Sequence, residues 1–67
     1  MKFILSEDGS TAVKTEVINT VLIFVDKKYY VNVRTDNYDY TMAEFDSEDA
    51  AKKYLSELVA ELNGGTK

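Results

Sequence analysis

The 67-residue chain contains no histidine, cysteine, proline or tryptophan. Without Cys there is no disulfide to staple a small fold, and without Cys or His there is no ordinary zinc site. The same two gaps remove the thiolate nucleophile and the imidazole base, two of the commonest catalytic solutions near neutral pH. Paired carboxylates could serve a glycosidase, but they must flank a pocket, and so short a chain around one helix leaves little room for one. The expectation is a protein that is not an enzyme, with no catalytic residue, cofactor, metal or small-molecule substrate.

Glycine is scarce as well, with Gly9 isolated and Gly64-Gly65 following a helical segment, so no phosphate-cradling loop opens a helix. The longest apolar run, Val21–Val25, is far short of the roughly 20 residues a membrane-spanning helix needs. Met1–Leu5 turns acidic at Glu7-Asp8, too soon for the apolar region of a signal peptide. A cytoplasmic protein with no membrane contact is expected. Basic residues are also in deficit, 8 against 12 acidic, for a net charge of −4. That surface repels phosphate, so direct nucleic-acid binding is not expected.

What the chain does have is 45% hydrophobic residues, including five Tyr and three Phe, the composition of a folded domain. At this length it is one domain, expected over residues 1–63 with a flexible tail at 64–67. A domain so small is marginally stable, and with the usual staples absent oligomerisation is the remaining reinforcement.

Lys2 to Leu5 reads as a short strand, closed by turn residues Ser6 to Ser10. Thr11 to Val17 is β-prone, and Val17 to Val21 suggests a bend or a short helical turn. A strand over Thr20 to Val25 follows, then a tight turn around Asp26-Lys27-Lys28. Tyr29 to Thr35 and Tyr38 to Phe45 flank Asp36-Asn37, which suits a two-residue type I′ hairpin turn. That register sets Val33 opposite Tyr40, Val31 opposite Met42, Asn32 opposite Thr41 and Arg34 opposite Asp39, and puts Tyr30 beside Ala43.

From about Ser47 to Leu62 the spacing predicts a helix. Asp46 or Ser47 can cap it; with Asp46 as cap, Phe45 would staple onto Ala50. Ala51, Tyr54, Leu55, Leu58 and Leu62 form one apolar stripe, and Asn63-Gly64 supplies the stop. The fold class expected is α+β: an antiparallel meander of about four strands, then one amphipathic helix packed on one sheet face. The core is expected to hold Leu22 or Ile23, Phe24 or Val25, Val31, Val33, Tyr40, Met42, Tyr54, Leu55, Leu58 and Leu62.

This element order resembles that of many small bacterial and phage proteins, and loosely that of small flagellar-operon proteins built as strands followed by a helix. Gly64-Gly65 resembles the tail of ubiquitin-like modifiers, although Thr66-Lys67 follow it and the helix comes last. No motif here is specific to a family.

One helix covers one sheet face, while neighbouring strand residues point to opposite faces. The all-apolar run 21–25 therefore leaves an apolar surface on the second face. The candidate interface is Val21, Ile23, Val25, Tyr30 and Ala43, and the expected partner is a second copy or another protein. The expected function is a non-enzymatic, acidic protein-interaction module that self-associates as a homodimer through its sheet. The alternative is an acidic inhibitor of a nucleic-acid-handling enzyme, of the phage or mobile-element kind. Its working surface would be Glu44, Asp46, Glu48, Asp49, Glu57 and Glu61, diluted by Lys52 and Lys53.

Overall fold

A computed structural model describes residues 2–64 of the chain, so the tail expected over 64–67 lies, apart from Gly64, outside the described residues. Strands β1 (Phe3–Leu5) and β2 (Ala12–Lys14) pair as a small antiparallel hairpin. A 3₁₀ turn over Thr15–Val17 leads into β3 (Ile18–Asp26), β4 (Lys28–Thr35) and β5 (Asp39–Phe45), an antiparallel meander in that order. Helix α1 (Glu48–Leu62) ends the fold. The architecture is α+β, with five strands in two sheets where about four in one were expected. No helix among the described residues is long and apolar enough to cross a membrane.

Local chemistry sets each join. In the β1–β2 turn the Ser6 hydroxyl donates to Asp8 Oδ1 at 2.7 Å and accepts from the Thr11 N–H at 3.1 Å. The same Asp8 oxygen accepts the N–H and the hydroxyl of Ser10 at 3.0 and 2.8 Å. These donors hold the Asp8 carboxyl down from 3.8 to about 2. Gly9 takes φ +76° in this turn, the left-handed region where a side chain is strained. Between β3 and β4, Lys27 adopts φ 68° without being glycine, which compresses the turn to a single residue between the Asp26–Lys28 pair.

The β4–β5 turn departs from the type I′ form expected at Asp36-Asn37. Lys27 is the one non-glycine residue with positive φ among those described, so neither central residue is left-handed. Thr35 holds the turn instead: its hydroxyl donates to the Tyr38 carbonyl at 3.0 Å and accepts from the Tyr38 N–H at 3.1 Å. The expected pairs Arg34–Asp39, Val33–Tyr40 and Asn32–Thr41 form.

Beyond them the register shifts, and Val31 faces Ala43 instead of Met42. A β-bulge at Met42-Ala43 absorbs the extra residue. The sequence Tyr40-Thr41-Met42-Ala43-Glu44-Phe45 explains it, because strict alternation would bury Glu44 and turn Phe45 outward. The bulge puts Met42, Ala43 and Phe45 on the helix side and returns Glu44 to solvent. Phe45 then meets Tyr54, ring centroids 5.5 Å apart.

In α1 the cap is Ser47, whose hydroxyl accepts from the Ala50 N–H at 3.1 Å; Asp46 does not serve and Ala50 is exposed. Glu48 and Asp49 in the first turn favour the positive end of the helix dipole. Gly64 at φ +112° ends the helix, donating to the Glu61 carbonyl at 3.2 Å.

The core joins all these elements on one side of the meander. Val31, Val33, Met42, Ala51 and Leu58 are buried there with Ile4 and Val13 of the small hairpin. Val21, Ile23, Tyr29, Tyr40, Tyr54, Leu55 and Leu62 pack around them, half-buried. Ile4 and Val13 were missing from the expected core, because three-residue strands carry too little periodicity to reveal an inward face. Phe24 and Val25 were alternatives for it, and both lie outside, 51% and 61% exposed.

Candidate interaction surface

The ladder between β3 and β4 settles which alternation of residues 21–25 meets the helix. Val21 pairs with Val33 and Ile23 with Val31, so both point to the core side. Leu22 pairs with Asn32 and Phe24 with Tyr30, and these four point to the outer side. The expected interface set is therefore largely displaced. Val21 and Ile23 pack on the core. Val25 shares their parity but remains exposed outside it. Ala43, carried inward by the bulge, is 6% exposed. Tyr30 alone of the five belongs to the outer face.

That face is built from β3, β4 and β5 without cover from the rest of the fold. The helix packs its apolar stripe, and the small hairpin Ile4 and Val13, into the core on the opposite side, while Phe3 and Leu5 of the hairpin stay exposed. On its β3 side Leu22, Phe24 and Tyr30 form the apolar part, with the Phe24 and Tyr30 rings tilted at a centroid distance of 6.3 Å. Asn32 lies beside Leu22 on one strand and Thr41 on the other. Its Oδ1 is buried without a hydrogen-bond partner among the described residues, a desolvated acceptor in the middle of the sheet.

Charged pairs rim the patch. Arg34 donates from Nε and Nη2 to the two carboxylate oxygens of Asp39 at 3.1 and 3.3 Å, which raises the already high guanidinium pKa. Lys28 reaches Glu44 at 3.0 Å and Asp46 at 3.7 Å, and its ammonium is likewise pushed up, mainly by the Glu44 hydrogen bond. All are exposed and screened by solvent, so each pair adds little stability. Their effect is to bound the apolar strip with a polar frame, the arrangement of a small interface core and rim.

The six expected acidic residues are not one field. Glu44 and Asp46 share Lys28, and Glu48 bonds Lys52 at 3.4 Å along the helix. Asp49, Glu57 and Glu61 are exposed on the helix. Among the described residues no three carboxylates converge on a point where a metal ion could sit, and Glu48 and Asp49 act as helix-terminal charges. A broad depression of about 1050 Å³ runs along the helix between Lys2, Lys52, Lys53 and Glu57, with Ser56, Ala60 and Glu61 completing its walls, and its charged side chains are exposed.

One half-buried phenol belongs to this helix. Burial raises the Tyr54 pKa, and the charges of Glu7 and Glu61 push it the same way. It sits in the core beside Phe45 and is part of the packing.

No family model matches this chain, and neither the curated proteins nor the solved structures contain a match to it.

Proposed function

We propose that the chain is a small, non-enzymatic protein-interaction module that self-associates through its sheet, in a cytoplasmic setting. The observation that carries this reading is the uncovered outer face, where Leu22, Phe24 and Tyr30 form an apolar strip and Phe24 is half exposed. Every covering element lies on the other side. An apolar strip framed by charge pairs marks an association surface, and Tyr is enriched at such surfaces. A symmetric copy is the simplest partner, since isologous dimers are the commonest assemblies. The absence of His and Cys supports leaving catalysis out.

The acidic-inhibitor alternative has weaker support, because three of its six carboxylates already face lysines. Salt separates the two readings. Light scattering across a concentration series should report association that persists or strengthens at high salt if apolar docking drives it. Association that vanishes with added salt would return the acidic surface to first place.

A further inference from the structure

We infer that β3 is an open docking edge whose occupant is β3 of a second copy of this chain, paired antiparallel about Leu22. The inference rests on the self-association proposed above and locates the contact at the sheet edge, where it joins the two outer faces side by side without covering either.

The order β3-β4-β5 leaves two edges, and they differ. The β5 edge is blunted: it carries the bulge, the Met42 carbonyl accepts the Glu7 N–H at 2.7 Å, and Asp39 and Glu44 add charge. The β3 edge has few of these defences. It is nine residues long, contains neither Pro nor Gly, and its one charged residue is Asp26 at the end. Its irregularity is confined to Ile18–Thr20, where it starts. Among the described residues no backbone hydrogen bond joins β3 to any strand but β4. A long, apolar strand edge presents a row of donors and acceptors that another extended strand satisfies.

The strand is complementary to itself. Antiparallel pairing about Leu22 sets residues equally distant from it opposite one another: Leu22 with Leu22, Val21 with Ile23, Thr20 with Phe24. β-branched and aromatic cross-strand pairs of this kind are favourable, and no like charges meet, because Asp26 falls opposite Ile18. The charges at the ends also favour the antiparallel orientation. Lys27 lies at one end of β3, while Glu16 precedes the other end and Asp36 is tied to it by the Asn19 amide at 2.6 Å. Neither Lys27 nor Glu16 has an ionic partner among the described residues. A parallel copy in register would set Glu16, Asp26 and Lys27 each against its own like charge, whereas the antiparallel copy places the Asp26-Lys27 end beside the Glu16 end and avoids this. The pairing joins two three-stranded sheets into one and makes the two Leu22–Phe24–Tyr30 strips continuous across the twofold axis.

Amide hydrogen exchange by NMR, compared at low micromolar and millimolar concentration, tests the edge. Alternate β3 amides should slow at least about tenfold with concentration as they enter a new ladder. The register is tested by cross-linking, since the chain has no native thiol. Mixed Thr20→Cys and Phe24→Cys chains should form the heterodisulfide in preference to either homodisulfide. In this register like residues 20 and 20, or 24 and 24, lie about 13 Å apart along the strands, beyond disulfide reach. Dimer formation with unchanged β3 exchange would overturn the edge and leave the self-association reading standing. Homodisulfides in excess would overturn the register. A monomer at millimolar concentration would overturn both the edge and the self-association reading.

Discussion

Replacing Leu58 by alanine tests how the helix is held on the sheet. Leu58 is 5% exposed and packs in the cluster with Val31, Val33, Met42 and Ala51. The change removes three buried carbons, about 2.4 kcal/mol at ~0.8 kcal/mol per methylene. The cavity left behind raises the loss to about 3–4 kcal/mol, inside the range for buried leucines. A domain of this length has a total stability of about 3–10 kcal/mol, so the variant should lie close to the edge of folding. Urea denaturation followed by far-ultraviolet circular dichroism measures it, and the midpoint should fall steeply. Thermally, 3 kcal/mol corresponds to a Tm lower by about 12–24 °C in so small a domain. Val59→Ala is the matched control, because Val59 is the next residue and is 36% exposed. It should cost under about 1 kcal/mol. Equal losses at the two positions, or a loss below about 1 kcal/mol at Leu58, would refute the helix face described here.

Three further perturbations probe the sheet and its turn. Ala43→Asp buries a charge that the bulge turns inward, so it should cost at least about 3 kcal/mol in the same urea assay, whereas an outward Ala43 would tolerate it. Asn32→Val removes the buried, unpartnered Oδ1 and should raise the urea midpoint by the equivalent of about 1 kcal/mol; a drop would mean that the amide is satisfied. Asp8 has a carboxyl pKa lowered to about 2, so its stabilising contribution is complete above 3.8 and is lost as pH falls through about 2. Asp8→Asn should therefore lower stability at neutral pH and flatten its acid dependence in that window, read from Tm against pH; an unchanged acid limb would detach Asp8 from the turn.

The helix and the start of the β4–β5 register were legible because their signals are local and repeated. Ala51, Tyr54, Leu55, Leu58 and Leu62 keep a helical spacing over several turns, and Arg34–Asp39 with Val33–Tyr40 match in charge and polarity. Three features resisted. The run Val21–Val25 is apolar on both alternations, so only the ladder to β4, Val21 against Val33 and Ile23 against Val31, shows that Leu22 and Phe24 face out. The bulge displaced Ala43 and shifted every pair after Asn32. Its signal was present in the sequence, since Met42-Ala43 places two apolar residues together and reverses the polarity of Glu44 and Phe45. Ile4 and Val13 reach the core through a hairpin whose strands are three residues each, too short for a period to appear.

Self-association through the sheet is the central claim, and sedimentation equilibrium of the native chain beside Leu22→Glu tests it most directly. Leu22 lies on the outer face and at the centre of β3, so a glutamate there places a charge in the apolar strip and, in the paired dimer, faces its own copy. The native chain should sediment at twice its 7.6 kDa in the high micromolar range. The variant, with its helix and sheet intact by circular dichroism, should sediment as a monomer. A monomeric native chain, or a variant that dimerises as tightly as the native protein, would contradict the account.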